Sequence, residues 1–224
     1  MNLWRWLKIS LAAVLLLRST VLLLGQAAPT PPTLAVTVLA KSPADTQTDL
    51  QIFCLFRSSP SNPLYGSLSE IDAKLHGLLG QIRSPEFFNG ELGETILFVP
   101  PPGTIAAKKV LIIGLGDSSS FTPERMYLVG KIAQREADRL GVAHPFFAPT
   151  VLDGGVTQFT TGEVAEQVAR GFRDALAGES LLREKSAAPA FTVVDFTYLA
   201  GALHAVDTQN GIDRALGKST IPKQ

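Results

Sequence analysis

Cysteine is almost absent from this chain. Its one thiol, Cys54, excludes an intramolecular disulfide framework and any cysteine-rich zinc site. Histidine is nearly as scarce: His76, His144 and His204 stand far apart, and metal chemistry needs several convergent ligands. His204 and Asp207, three apart on an expected helix, share a face, but two ligands are not a site, and the plainer reading is a solvated helix face. Net charge is missing as well. Twenty basic residues against 20 acidic ones leave no global field to attract nucleic acid or anionic lipid. No Gly-x-Ser-x-Gly elbow is present, and Ser118-Ser119-Ser120 reads as a connector rather than a nucleophile cluster. No catalytic residue, metal site or cofactor is expected. An uninterrupted membrane-length apolar run is lacking too, because Arg18 splits the leader into Ile9–Leu17 and Val21–Leu24. A charge at mid-membrane costs about 2.5–3.5 kcal/mol on insertion scales.

What the leader does have is the grammar of export. Arg5 and Lys8 form a charged start, Ile9–Leu17 an apolar stretch, and Gly25-Gln26-Ala27 the small residues a signal peptidase cuts after. Residues 1–27 are therefore expected to be a signal peptide, placing the protein in the periplasm or outside the cell. The alternative is an uncleaved anchor, the only membrane contact foreseen. Residues 28–49 read as a linker with an edge strand at Leu34–Leu39, residues 50–217 as the folded domain, and 218–224 as a tail.

Within the domain, β-branched and helical periodicities alternate. Strands are expected at Leu50–Phe56, Thr95–Val99, Lys109–Ile113, His144–Val151 and Phe191–Phe196. Leu50–Phe56 is almost continuously apolar, as a strand covered on both faces must be. Cys54 lies inside it, as a small buried hydrophobe. A helix is expected from Ser67 as N-cap, with Glu70 completing a capping box. Another runs from Thr122 and Pro123 to a left-handed cap at Gly141. Gly162–Leu176 and Thr197–Leu216 read as helices, and Ala177–Pro189 as a surface loop or frayed helix end. This alternation predicts an α/β sandwich with a mostly parallel or mixed central sheet.

The ordered landmarks are Phe88-Asn89-Gly90-Glu91-Leu92-Gly93-Glu94, Thr95–Pro100, Ile113-Gly114-Leu115-Gly116-Asp117, Phe121-Thr122-Pro123-Glu124 and the Gly162–Leu176 helix. In order and spacing, over roughly Leu34–Lys218, they resemble the amino-terminal domain of the M17 leucine aminopeptidases. That resemblance implies a macrodomain-like three-layer α/β/α fold. It also implies no catalysis by this chain, since the family's metal ions belong to a carboxy-terminal domain whose Asn-Thr-Asp-Ala-Glu-Gly-Arg signature does not occur here. Asp213-Arg214-Ala215-Leu216 looks like a degraded start of the connection to it.

Two glycine loops carry the candidate binding residues. Gly114, Gly116 and Asp117 end a strand, where open α/β sheets receive ligands. Gly154 and Gly155 of Asp153-Gly154-Gly155 supply a second backbone lobe, and such loops form anion nests. In macrodomains comparable loops hold ADP-ribose. Tight turns explain the same glycines. Three functions are therefore carried forward: a protein-interaction or self-assembly module, a small-ligand binder of ADP-ribose or nucleotide type, and the accessory part of a split metalloaminopeptidase.

Overall fold

In a computed structural model, residues 33–59, 63–189 and 192–218 are described. The expected signal peptide, and the tail beyond Lys218, lie outside them. Six strands form one sheet: β1 (Ala35–Ala40), β2 (Gln51–Leu55), β3 (Thr95–Phe98), β4 (Val110–Gly114), β5 (Phe146–Ala148) and β6 (Asp195–Ala200). Their order is β1-β6-β5-β2-β4-β3. All neighbours are parallel except β3, which runs antiparallel to β4 with Leu97 opposite Leu111. The sheet is thus mixed, as expected, and the edge strand foreseen near residue 35 is β1, registered Ala35 to Asp195 and Ala40 to Ala200.

The central strands β2 and β4 are buried throughout, and their alternation divides the core in two. Ile52, Cys54, Leu111 and Ile113 face one layer, built from α3 (Arg125–Arg139), α4 (Thr161–Glu184) and α5 (Ala205–Leu216). Phe53, Leu55, Val110 and Ile112 face the other, built from α1 (Gly66–Lys74) and α2 (Leu78–Ile82). This is the three-layer sandwich. Burial pushes the Cys54 thiol far above its ordinary range, as an inert core residue requires.

Five local expectations are corrected. Ser67 and Glu70 form no capping box, and α1 starts from Tyr65 without a side-chain cap. Instead Ser67 Oγ donates to Asp153 Oδ2, and Glu70 Oε2 accepts from Ser42 Oγ at 2.7 Å. Long-range partners outcompete the local ones. Helix α3 begins two residues beyond Pro123 after an opening of i→i+3 turns, but its end is as read: Gly141 N–H donates to Asp138 O and Val142 N–H to Ala137 O, the paired bonds of a Schellman cap. The stretch Ala177–Pro189 is helical to Glu184, because Arg183 pairs with Asp138 of α3, whose other carboxylate oxygen accepts from Thr192 N–H at 2.7 Å. The last strand is Asp195–Ala200, so the helix read from Thr197 starts only at Ala205. Ser42–Asp45, read as linker, packs on α1 through Ser42–Glu70 and Lys74–Asp45.

The helical layer closes by backbone contact. A Cβ at Gly130 of α3 would stand 2.2 Å from Val168 O of α4, and one at Gly171 of α4 equally close to Tyr127 O of α3. At Gly211 of α5 it would meet Gly162 O at 2.1 Å. Gly178, also in α4, faces open space. Replacing Gly171 by Ala should lower stability by about 2 kcal/mol or more, since backbone must move. Gly178→Ala should raise it by roughly 0.5–1 kcal/mol through helix propensity. Paired thermal melts check both signs, and a neutral Gly171→Ala would contradict the close approach.

Candidate functional site

A cavity of about 510 Å³ opens at the carboxyl ends of β1, β6 and β5. Ala40, Ala148 and Ala200 end the strands beneath it; small residues there leave room above the sheet. Its walls are the Ser42–Pro43 turn, the start of α1, the loop Pro149–Asp153, the first turn of α4 and the Gly201–His204 turn. Parallel strand ends are where such folds place ligands.

The loop Pro149–Asp153 is held under strain. Thr150 has φ +49°, a left-handed conformation that a β-branched residue rarely adopts, at a cost of about 1–3 kcal/mol. Its hydroxyl accounts for the position: it donates to Cys54 O at 2.6 Å and accepts from Cys54 N–H at 3.0 Å, continuing the β2 ladder with a side chain. Asp153 then docks on α1, accepting from Tyr65 N–H through its backbone carbonyl at 2.9 Å and from Ser67 Oγ through its carboxylate. Tyr198 also lines the cavity. Burial keeps its phenol protonated, and its hydroxyl has no hydrogen-bond partner.

The helical wall is capped by side chains from two helices. Thr160 Oγ1 accepts from Glu163 N–H at 3.1 Å, and Glu163 Oε2 accepts from Thr160 N–H at 2.8 Å, a capping box. Asp207 Oδ2 reaches across from α5 to accept from Gly162 N–H at 2.6 Å and Thr161 Oγ1 at 2.9 Å. Asp207 is therefore not on a solvated face shared with His204; it spans two helices.

The glycine loops are placed otherwise than a paired nest requires. Gly114 N–H donates to Glu94 O, Leu115 N–H to Leu55 O and Gly116 N–H to Gly90 O, so these amides are already used. A Cβ at Gly114 would stand 2.0 Å from Glu91 O. Asp117 caps the following turn, accepting from Ser119 N–H at 2.8 Å, and that backbone bond holds its carboxyl below the usual range. With Arg57, Ser118 and Ser119 it lines a separate concavity of about 250 Å³. Gly154 N–H and Gly155 N–H also bond their own loop, at Thr150 O and Leu152 O. Phe56, buried, fills the space beside them: a Cβ at Gly154 would meet its ring at 2.4 Å, and it packs edge-on to Phe121 at 5.4 Å. Of the two loops only Asp153, next to the glycines, reaches the larger cavity. Thr150 and Tyr198 carried no sequence signal, since a strained Thr and an unpartnered Tyr look like any other. Among the described residues no three His, Cys, Asp or Glu side chains converge as metal ligands.

The profile of the cytosol aminopeptidase family's N-terminal domain matches residues 52–185, more than half of the chain. The chain belongs to that family. A "Probable cytosol aminopeptidase" of Syntrophotalea carbinolica is 41% identical over 70 residues, 31% of this chain and 13% of the relative. A tomato leucine aminopeptidase variant superposes with a TM-score of 0.65 at 21% identity, over 84% of this chain and 36% of that one. A macrodomain variant of Oceanobacillus iheyensis with ADPR gives 0.59 at 13% identity, over 84% and 97%. The macrodomain-like fold and the M17 resemblance are both upheld, and the chain spans well under half of the aminopeptidases it matches.

Asp207→Ala should cost this M17-type domain about 1–2 kcal/mol, the ordinary worth of a helix N-cap with a favourable charge. Chemical denaturation measures it. An unchanged midpoint would mean that Asp207 does not anchor α4.

Proposed function

We propose that this domain is an exported binding module without peptidase chemistry of its own, working through the cavity above β1, β6 and β5. The observation that carries the reading is the strained Thr150 in the cavity wall, held by two bonds to Cys54. Strain of this kind persists where the surroundings over-determine it, commonly at ligand clamps. The cavity volume falls in the range of small-molecule sites. The absence of turnover is supported by ligand counting: a two-metal hydrolase needs clustered carboxylates, and the described acidic residues serve as caps and surface ion pairs.

A purified sample should give no turnover of Leu-p-nitroanilide with added Mn²⁺ or Zn²⁺. Its melting temperature should rise with at least one member of a panel of amines, short peptides, nucleotides and ADP-ribose. Metal-dependent turnover that tracks the protein, or a flat response to the whole panel, overturns this reading.

A second reading is docking of a protein partner or another copy at the cavity rim. Leu203 and Val206 favour it, being 95% and 75% exposed beside the Gly201–His204 wall. Export rests on residues 1–27. Expressed in a bacterial host, the protein recovered from the envelope should have a mass beginning at Ala28; an intact amino terminus there would indicate the anchor instead.

A further inference from the structure

The cavity is lined by two carboxylates, Asp153 and Glu70, and by Lys41 and His204. Asp153 is half-buried in its wall and, among the described residues, has the Ser67 hydroxyl as its side-chain partner and no cation within ion-pair distance. Glu70, in the same wall, shares Lys74 at 3.8 Å with Asp45, which holds that ammonium more closely. The remaining lining is largely aliphatic and aromatic, including Val151, Phe159, Val164 and Leu199.

Anion binding in α/β folds relies on free N–H groups at a helix start. At the α4 start that forms this wall, three such N–H groups are already engaged. Glu163 N–H bonds Thr160, Gly162 N–H bonds the Asp207 carboxylate, and Val164 N–H bonds Thr160 O. The Glu163 and Asp207 carboxylates, which accept from Thr160 N–H and Gly162 N–H, add negative charge to this helix start.

We propose that the cavity takes a small primary ammonium compound with an apolar body, its cation on the Asp153 carboxylate, in preference to a phosphate group. This rests on the cavity being the binding site. The apolar walls receive the body by area burial. The ammonium gains a charge-assisted hydrogen bond to a carboxylate that has no other cation. The Tyr198 hydroxyl, a wall residue's buried polar atom without a partner, gives the site a further group for a ligand to satisfy.

Calorimetry on the purified full-length protein, with phenethylamine, its uncharged counterpart 2-phenylethanol, inorganic phosphate and ADP-ribose, tests the proposal. Phenethylamine should bind roughly tenfold or more tighter than 2-phenylethanol, a ratio typical of one charge-assisted bond, and each anion should bind more weakly than the amine. Asp153→Asn keeps an acceptor for Ser67, so it should remove the amine's advantage while leaving 2-phenylethanol unchanged. Ala202→Trp, at the exposed rim, should weaken both aromatic probes; melts of each variant confirm folding. Phosphate or ADP-ribose binding tighter than the amine overturns the charge assignment and leaves the cavity reading intact. Equal binding of amine and alcohol by the unsubstituted protein overturns it too, without any variant having to fold. If none of these probes or the wider panel binds, the cavity reading falls with it.

Discussion

Three helices meet at bare backbone, and the rest of the molecule is arranged around that meeting. Gly130 and Gly171 bring α3 and α4 to within a peptide's thickness, and Gly162 and Gly211 do the same for α4 and α5. Side chains of ordinary size at these places would hold the helices further apart. The close approach puts the first turn of α4 beside Asp207 of α5, which is why a carboxylate from one helix can cap another. It also fixes where α4 starts relative to the strand ends, and so the position of one cavity wall. The wall is set by packing between helices.

Much of the fold was legible because its signals are local. The apolar run Leu50–Phe56, the β-branched Lys109–Ile113 and the Gly141 helix end are each decided by neighbouring residues, and the structure places an element at each. Misreadings fall where distant residues decide. Ser67 and Glu70 have the spacing of a capping box, yet Asp153 and Ser42 claim them. Ala177–Pro189 has loop-like composition, yet the Arg183–Asp138 pair, with both side chains about nine-tenths buried, holds its first half helical. Thr192–Val194 is no less β-rich than Asp195–Ala200, but pairing with β1 starts only at Asp195.

The candidate site was less legible for the same reason. Glycine pairs at strand ends suggest exposed amides, and sequence cannot reveal that Glu94, Leu55 and Gly90 carbonyls already receive them. Room at the strand ends depends on Ala40 pairing with Ala200 while Ala148 ends the next strand, a juxtaposition of three strands distant in the chain. Asp153 connects the glycine-loop reading to the cavity only as a neighbour of the glycines that drew attention.

The register of β1 has a bearing on the order of events in folding. Ala35–Ala40 is made early but pairs only with Asp195–Ala200, near the other end of the described domain. Contacts so remote in sequence close a long loop and form late. Until β6 emerges, β1 has no neighbour, β5 lacks one side of its ladder, and the sheet cannot be completed. The strands β2 to β5 can pair among themselves before that, so the join of β1 to β6 is the step that completes the sheet.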